Sequence, residues 1–327
     1  PDVVSKVVPA PTDGWDAISP LASMDPKRAP ILNNWIPRPG WVELRKGCFP
    51  HVLLDLEIPV ETLMVRRAGD GEQMFAAAGS QIYDVSNVGD ILSVLSGLNS
   101  ARWQWTNFTP GLGTTVIQCV NGVDTLKQYD GSAWTVPVIT GLPSGTTASI
   151  VNIHAQKRRL WFVLNDGAGG GSTVAAFMPT DAIAGPIEGT LDLGANWGKG
   201  GHLVAIADWT VDGGNGPNDY MVFISSRGQV SIYSGVDPTD ATNWTLAGTF
   251  DMSPPISYRC ATKIGSDVGL ITQQGVIPLS QALPFEPSAS RSVSITARIQ
   301  NAMAEASDNG MELFDWQLIS FTSETVA

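Results

Sequence analysis

Short runs of alternating apolar and polar residues, each followed by a tight turn, fill the chain from about residue 60 to residue 290. Met74–Ala78 turns at Gly79 into Gln81–Val85, and a second run turns in the same way at Gly228. Glycine and asparagine pairs between β-forming runs are the strongest local signal for an antiparallel hairpin. The pattern therefore predicts a series of hairpins, with further turns at Asn121-Gly122, Asn165-Asp166-Gly167 and Gln273-Gln274-Gly275.

The turn glycines recur at nearly constant intervals. They stand at positions 79, 122, 167, 228 and 275, so that successive turns are 43, 45, 61 and 47 residues apart. One hairpin per interval of this length is typical of a β-propeller, whose small antiparallel sheets bury one another's faces around an axis. We therefore predict an all-β β-propeller with four-stranded or hairpin-based antiparallel blades. A β-sandwich is the competing architecture.

The two ends of the chain depart from this pattern. Residues 1–30 are rich in Pro, Ala, Asp and Ser and predict an extended arm. With the turn-rich motif that follows, we expect residues 1–59 to form this N-terminal arm and residues 60–290 to form the propeller body. In residues 291–327 we expect one amphipathic helix, capped by Ser292 or Ser294 and ended by Asn309-Gly310, and then a strand, Trp316–Phe321. The helical face consists of Ile295, Ile299, Met303 and Ala306. Whether these ends complete the ring of blades, or the protein continues past Ala327, stays open.

The charge of the chain is low in density and acidic in sign. Charged residues make up 15% of the 327 residues, and the net charge is −12. Residues 71–327 carry 11 basic and 22 acidic side chains, so the body rather than the arm is acidic. Tight binding of nucleic acid depends on Lys and Arg contacts to phosphates, and this composition argues against it. An acidic wall is nevertheless compatible with a channel along which DNA slides.

Motifs of known catalytic, cofactor or metal chemistry do not occur in the sequence, and we predict no catalytic, cofactor-binding or metal-ligating residue. Three distant cysteines, Cys48, Cys119 and Cys260, are expected to be buried thiols in a reducing compartment. Without an apolar run long enough to cross a bilayer, we expect a soluble protein and no stable membrane insertion. A glycosidase would need two carboxylates at a defined separation, and the sequence places no pair together.

The segment NNWIPRPGWVELRKG, residues 33–47, resembles the N-terminal motif of the tail nozzle (tail tube) proteins of short-tailed phages, the podoviruses. Further matches follow in the same order over most of the chain, from about residue 33 to residue 316. They are Glu61–Met64, Met74–Gly79, Ile82–Val85, Lys157–Phe162, Pro179–Gly185, Asp308–Gly310 and Trp316-Gln317.

This resemblance implies a structural virion protein without catalysis. A homo-oligomer, six copies in the family, would form the end of the tail, enclose the exit channel for double-stranded DNA and retain packaged DNA until ejection. The resemblance further implies a tail adaptor protein above the ring, fibres or spikes at its side, and assembly in the host cytoplasm. The alternative is a glycan-binding or glycan-cleaving β-propeller for receptor recognition, and a third possibility is a cellular propeller scaffold.

Two groups of residues are candidates for these roles. The glycine-rich loop Asp212–Asp219 has no basic side chain and is the predicted channel or gate loop, represented by Asp212, Asn215, Asn218 and Asp219. Residues that combine Trp, Arg and Lys are predicted to dock onto the acidic body of a neighbouring subunit. They are Trp35, Arg38, Trp41, Arg45, Lys46, Lys157, Arg158 and Arg159, and the adjacent Arg66 and Arg67 are further candidates.

Overall fold

Antiparallel strands dominate the computed structural model, which describes residues 7–54, 57–168, 170–212, 217–282, 294–310 and 316–319. The chain is 45% strand and 7% helix, which confirms the predicted all-β class. An N-terminal hairpin consists of β1 (Trp35–Arg38) and β2 (Trp41–Leu44). The remaining strands form five successive antiparallel sheets, which stack as the blades of a β-propeller.

Each blade is a meander of strands that are consecutive in the sequence, except for one inserted pair. Blade 1 contains β3 (Val60–Ala68), β4 (Gly71–Ala78), β5 (Gln81–Asp84) and β6 (Leu92–Ser96). Blade 2 contains β7 (Gln104–Phe108), β8 (Val116–Val120), β9 (Lys127–Tyr129) and β10 (Trp134–Thr135). The inserted pair is parallel and joins β11 (Ile139–Thr140) to a strand that lies within the next blade's connections.

Blade 3 contains β12 (Ile150–Gln156), β13 (Arg159–Asn165), β14 (Gly171–Phe177) and β16 (Gly189–Asp192); β15 (Gly185–Pro186) is the partner of β11. Blade 4 contains β17 (Leu203–Asp212), β18 (Pro217–Ser225), β19 (Gln229–Gly235) and β20 (Trp244–Asp251). Blade 5 has three strands, β21 (Ala261–Ile264), β22 (Asp267–Thr272) and β23 (Gly275–Pro278). Among the described residues, the helices α1 (Leu279–Ala282) and α2 (Gln300–Gly310) follow it, and short 3-10 turns cover Thr147–Ser149, Gly194–Asn196 and Ala297–Ile299.

The hydrophobic core lies between the blades, because each sheet buries its faces against its neighbours. Blades 1 and 2 share a cluster around Phe75 and Trp103, and blades 2 and 3 share one around Phe162. Blades 3 and 4 pack through stacked aromatic rings, with the centroids of Trp161 and Trp244 5.7 Å apart. Blades 4 and 5 meet in an aliphatic cluster that includes Val222 and Ile277. Four successive interfaces therefore hold the five blades in order around the axis.

The predicted turns join the predicted strands. Gly228 lies between β18 and β19 with φ +81°, a left-handed conformation that favours glycine. A Cβ atom at this position would lie 2.2 Å from the carbonyl oxygen of Met252, so the site also excludes a side chain for lack of space. Asn121-Gly122 opens a longer connection between β8 and β9, in which the carboxylate of Asp124 accepts hydrogen bonds from Asn99 and Asn121.

The junction between blade 5 and blade 1 is closed differently from the other four. Residues 316–319 lie beside the innermost edge of blade 5, where Gln317 forms an isolated parallel bridge with Arg259. The guanidinium of Arg259 then reaches the carbonyl oxygen of Glu61 in β3 at 3.5 Å. Between β3, β7 and residues 317–319 a groove of about 770 Å³ remains. We call this cavity the junction groove.

The C-terminal helix differs from its prediction at its start. It begins at Gln300, so Ile295 lies outside it and is 59% exposed, while Met303 packs on the core of blades 4 and 5. Ser294 does not cap the helix. Its hydroxyl donates to the carbonyl of Val276, and the amide of Ile295 donates to the same oxygen, so this segment takes the place of a fourth strand in blade 5. Ser292 lies outside the described residues, as do the last two positions of the predicted strand Trp316–Phe321.

Candidate subunit-contact surfaces and axial cavity

The motif at residues 33–47 folds into the β1–β2 hairpin. Its two-residue turn, Pro39-Gly40, uses the left-handed φ of +83° at Gly40. Because side chains alternate along a strand, one face of the hairpin is wholly apolar. That face carries Trp35, Pro37, Val42 and Leu44, paired as Trp35 with Leu44 and Pro37 with Val42. A two-stranded hairpin is marginally stable alone, so this face requires a cover.

The other face of the hairpin holds its charged candidates. Arg38 Nε donates to Glu43 Oε2 at 3.0 Å. Trp41, which is half exposed, lies opposite Arg38 on the neighbouring strand. Arg45 Nε donates to Asn34 Oδ1 at 3.1 Å. Lys46 follows as an exposed residue. The structure thus brings all five predicted docking residues of this segment onto one small exposed element, with the arginines held in place by polar partners.

Exposed apolar side chains concentrate in the N-terminal segment, residues 7–54. Of the 26 large hydrophobic side chains that are exposed among the described residues, 12 lie in these 48 positions. They are Val7, Val8, Trp15, Ile18, Leu21, Ile31, Trp35, Ile36, Trp41, Leu44, Phe49 and Leu53. Apolar exposure of this density marks a surface for contact with another macromolecule.

The N-terminal segment also has an internal structure of its own. The buried carboxylate of Asp16 accepts hydrogen bonds from the amides of Ile18 and Ser19 at 3.1 and 2.9 Å. Hydrogen bonds from Ser19 and Ile18, together with Arg28, lower the pKa of Asp16 to about 2. The amide of Ala17 donates to the carbonyl of Arg298, which lies just before α2. At its other end, His51 contacts the carbonyl of Val85 at 2.7 Å in blade 1. The segment is therefore anchored at both ends and exposed between them.

The two faces of the propeller carry different charges. In an antiparallel meander, the first-to-second and third-to-fourth turns of every blade emerge at the same end. At this end the connections contain seven acidic and two basic residues: Asp70, Asp90, Asp130, Asp181, Glu188, Asp237 and Asp240, against Lys157 and Arg158. The connections at the opposite end contain two acidic and four basic residues: Asp124 and Asp166, against Arg102, Lys199, Arg227 and Arg259. We call the first end the acidic face.

The described residues of the predicted gate loop belong to the strands of a projecting ribbon on the acidic face. The prediction of an eight-residue loop is wrong, because β17 runs to Asp212 and β18 starts at Pro217. The ladder between them continues to the pair Asp212–Pro217, whereas β19 covers β18 only from Tyr220 onward. The last residues of β17 and the first residues of β18 therefore extend as two strands beyond the blade. Asn215 lies outside the described residues; Asn218 is in β18, and Asp219 Oδ1 accepts from Thr210 Oγ1 at 2.8 Å.

The basic run Lys157-Arg158-Arg159 forms the turn between β12 and β13 on the same face. Lys157 and Arg158 both have positive φ, 49° and 61°, as in a tight hairpin turn. Lys157 Nζ donates to the carbonyl of Asp219 at 3.2 Å and to that of Gly235, so it fastens the ribbon of blade 4 to blade 3. Burial lowers the pKa of Lys157, and the nearby Asp219 opposes this effect.

The two arginines of this run are paired within the chain. Arg158 binds both carboxylate oxygens of Asp181, with Nε 3.0 Å from Oδ1. Arg159 is buried, and it pairs with Glu188 and lies 3.3 Å from Asp237. The structure therefore joins two separately predicted sites, the ribbon and the basic turn, and it gives the basic turn a role in positioning neighbouring acidic loops.

The prediction that Arg66 docks onto a neighbouring subunit is wrong. Its side chain is 1% exposed and lies between blades 1 and 2, where Nε donates to the carbonyl of Thr115 at 2.8 Å. Nη1 also contacts Asp70 Oδ1 at 3.0 Å and Gln73 Oε1 at 3.1 Å. A side chain enclosed in this way cannot contact another subunit. The neighbouring Arg67 is exposed on the opposite face of β3 and pairs with Glu72 at 3.2 Å.

The innermost strands converge on an axial cavity of about 230 Å³. Beside it, Asp208 links three blades, lying 3.4 Å from His154 Nε2 in β12 and in contact with Lys263 Nζ in β21. Burial raises the pKa of Asp208, but the contacts with His154 and Lys263 outweigh this effect and leave the pKa well below its ordinary value. The sequence contains no signal for the proximity of His154 to Asp208.

Other candidate sites are few within the part of the chain that the structure describes. It contains no group of three or more His, Cys, Asp or Glu side chains that could hold a metal ion. It also contains no helix that is both long enough and apolar enough to cross a membrane. Cys119 and Cys260 are buried, and burial raises the pKa of both thiols, that of Cys260 to about 12. Cys48 is exposed, contrary to its prediction.

Comparisons with known proteins add little beyond the fold. No family model matches the chain, and no curated protein matches it. Among solved structures it is similar to BBS1N in complex with ARL6DN, in a crystal soaked with mercury (13% identity, TM-score 0.46) and in one soaked with lead (12% identity, TM-score 0.43). Each match covers 69% of this chain and 66% of BBS1N, so this chain spans just under two thirds of the length of BBS1N. A shared fold does not imply a shared function, so function is argued from this chain's own residues.

Proposed function

We propose that the chain is a structural subunit of the tail nozzle of a short-tailed phage. In this role, several copies form a ring that encloses the DNA exit channel and retains packaged DNA until ejection. The observation that carries the proposal is the exposed apolar N-terminal segment, whose β1–β2 hairpin is formed by the motif that resembles the nozzle family. The exposed apolar side chains of this segment are expected to be buried against a neighbouring chain. During ring assembly, a second copy of the same protein is always present as that neighbour.

The DNA channel in this proposal lies between subunits and not along the propeller axis. The axial cavity of about 230 Å³ has the volume of a sphere roughly 8 Å across, whereas the major groove of DNA alone is about 12 Å wide. A duplex cannot pass through such a space. The channel must therefore be assembled from the outer surfaces of several propellers around a common axis.

The acidic face is the surface of each subunit that suits the wall of this channel. Each Lys or Arg in the wall would add a phosphate contact and slow the passage of DNA, while carboxylates repel the duplex. The acidic face has few cations, and Arg158 in its connections is paired with Asp181. The ribbon, whose ladder runs to the pair Asp212–Pro217, projects from this face and is the proposed constriction of the channel. The opposite face, with its excess of Arg and Lys, is then free for the adaptor above or for fibres and spikes.

The alternative of a glycan-cleaving propeller has weaker support. A glycosidase positions two carboxylates on opposite sides of the scissile bond. None of the described residues that line the axial cavity is Asp or Glu, and Asp208 beside it is held in contacts with His154 and Lys263.

Mass measurement in solution tests the ring, and particle class averages give its symmetry. We expect a closed ring of identical copies, six according to the family. Deletion of residues 1–25 should prevent the ring from forming while leaving a folded β-rich monomer, because the deleted residues belong to the exposed segment and not to the blades. A stable monomer that hydrolyses a polysaccharide would refute the proposal.

The channel assignment has a separate test in virions. The double substitution Asp212→Lys and Asp219→Lys places two cations at the end of the ribbon. We expect tails that assemble but eject DNA slowly, or lose it early, because the new lysines contact phosphates in the channel. A control substitution at an exposed position on the opposite face, Asp166→Lys, should leave ejection unchanged if the tails assemble. Normal retention and ejection in the first variant would place the ribbon outside the channel.

A further inference from the structure

The wall of the axial cavity has no carboxylate side chain among the described residues, although the chain as a whole is acidic. Its volume is about 230 Å³, and blades 2 to 5 and residue 317 all contribute to its wall. The described residues of this wall include one arginine, one histidine and several amide and aromatic side chains, but neither Asp nor Glu. The net charge of the whole chain is −12. A wall without carboxylates at the centre of such a protein indicates a place where negative charge is accommodated.

Two residues of this wall have a hydrogen-bond donor that lacks a partner. Gln104 is 6% exposed, and its Nε2 is buried without a hydrogen-bond partner among the described residues. The indole Nε1 of Trp103, the preceding residue, is also buried and also has no hydrogen-bond partner among the described residues. Native proteins pair nearly all buried donors, with protein atoms or with bound molecules. Both residues line the cavity, but Trp103 packs in the cluster that blades 1 and 2 share, so the amide of Gln104 is the donor that indicates an acceptor in the cavity.

Positive charge lies on the wall beside this donor. Arg259 Nη1 donates to Gln317 Oε1 at 3.2 Å, and its Nη2 lies 3.5 Å from the carbonyl oxygen of Glu61. His154 also lines the cavity, with its Nε2 3.4 Å from Asp208 on the far side. The carboxylate of Asp208 is in contact with Lys263, which offsets its charge.

The junction groove adjoins the cavity. The two spaces share the wall residues Trp105, Arg259 and Gln317. The groove is lined by three arginines, Arg67, Arg102 and Arg259, and by one carboxylate, Glu61. Glu61 pairs with Arg102 at 2.8 Å, so the groove keeps an excess of positive charge. An anion that enters the groove from solvent therefore meets a wall of the favourable sign.

We propose that the axial cavity is a binding site for a small oxyanion, a carboxylate or a phosphate. The anion accepts a hydrogen bond from Gln104 Nε2 and is attracted by the guanidinium of Arg259. A carboxylate or phosphate fits the volume, which would otherwise hold roughly eight waters at about 30 Å³ each. The bound anion links strands of blades 2 and 5 across the axis, at the side of the ring that has the junction groove. The proposal does not depend on a role in a phage tail.

Thermal unfolding of the full chain tests the site at constant ionic strength and pH 7. Sodium acetate and sodium phosphate are titrated in separate series against sodium chloride. We expect a saturable rise in Tm with at least one oxyanion and none with chloride beyond the general salt effect, since a ligand that binds only the folded state stabilises it. The two series distinguish a carboxylate site from a phosphate site.

Two glutamines provide the matched pair of variants. Gln104→Leu removes the donor without a partner and should abolish the rise in Tm. Gln118→Leu is the control, because Gln118 is also fully buried but its Nε2 donates to Gln128 Oε1 and to the carbonyl of Ile183. This control should lower Tm yet keep the response to the oxyanion. Arg259→Gln should weaken the apparent affinity at least tenfold.

Three results would overturn the proposal. They are an equal response to chloride and to both oxyanions, a full response that persists in Gln104→Leu, and a crystal structure in acetate or phosphate whose axial cavity contains only water. The structural experiment decides the matter even if Gln104→Leu does not fold.

Discussion

The buried arginine between blades 1 and 2 offers the sharpest test of how this propeller is held together. Substitution of Arg66 by Met keeps much of the volume of the aliphatic stem but removes the guanidinium. The change deprives the carbonyl of Thr115 and the amide oxygen of Gln73 of their donor, at positions where water has little access. The adjacent Arg67, whose side chain is 73% exposed and whose partner Glu72 is 67% exposed, is the matched control.

The magnitude follows from the number and exposure of the lost bonds. A hydrogen bond to a charged group contributes about 1.5–3 kcal/mol, and Arg66 makes two such bonds to enclosed acceptors. The pair with Asp70 adds little, because the side chain of Asp70 is 62% exposed and can return to water. We therefore expect Arg66→Met to lower the free energy of unfolding by about 3–5 kcal/mol. Arg67→Met, which breaks an exposed pair, should cost about 0–1 kcal/mol.

Equilibrium unfolding in urea, followed by tryptophan fluorescence, measures both variants. The fluorescence is informative because Trp103 and Trp134 lie in the core that blades 1 and 2 share. Arg66→Met should shift the midpoint strongly and Arg67→Met barely. Equal and small shifts in the two variants would refute the reasoning, since they would show that the guanidinium of Arg66 is not needed between the blades.

The acidity of Asp70 gives a second readout on the same pair. The hydrogen bond from Arg66 lowers the pKa of Asp70 below its ordinary value. A lowered pKa in the folded state contributes stability that is present above the unfolded pKa, near 4, and is lost as pH falls through the folded pKa. In Arg66→Met the pKa of Asp70, measured by NMR titration, should return upward. The difference in stability between wild type and variant should shrink in acid.

Two further predictions concern the N-terminal segment and a turn. Asp16→Ala should speed hydrogen exchange in residues 7–31 at neutral pH and leave the blades protected. In the wild type, whose folded pKa for Asp16 is about 2, the same loosening should occur only as pH falls from about 4 towards 2; equal exchange in wild type and variant would contradict this. Gly228→Ala should lower Tm far more than Gly40→Ala. Both glycines have φ near +80°, but a Cβ at 228 would clash with Met252 and one at 40 meets no atom within 4 Å, so equal losses would show that the clash is relieved.

Local turn chemistry explains why the fold class could be predicted from the sequence. Each blade contains a hairpin whose turn carries a glycine, and Gly79 and Gly228 have the positive φ that the pattern requires. What the pattern could not provide is the pairing of residues far apart in sequence. The contacts of Asp208 with His154 and Lys263, and of Arg66 with Thr115, depend on the stacking of blades. From sequence alone, a basic residue in a strand is expected to be exposed whichever face it lies on. The buried Arg66 and the exposed Arg67 therefore could not be distinguished.

The same limit applies to the gate loop and to the helix. Thr210, Val211 and Asp212 pair with residues 217–219 and lengthen β17, although Gly, Asn and Pro nearby predicted an irregular loop. Hydrogen bonding to the opposite strand overrode the local preference. Around Ser294, bonds to the outer strand of blade 5 displaced the expected helix start. In both cases a neighbouring strand supplied hydrogen-bond partners that local sequence rules do not take into account.

The location of the family-like motif has a consequence for assembly. Residues 33–47 form a hairpin outside the blades, and its apolar face contributes little to the core that the chain builds for itself. The propeller has its inter-blade clusters without this hairpin, whereas the hairpin has no comparable cluster of its own. An element that is unstable alone and dispensable for the core is stabilised when a neighbour covers it. Assembly of several copies and ordering of the hairpin should therefore occur together. Hydrogen exchange at Trp35–Leu44 should slow sharply when the ring forms, and unchanged exchange on assembly would place the subunit contact elsewhere.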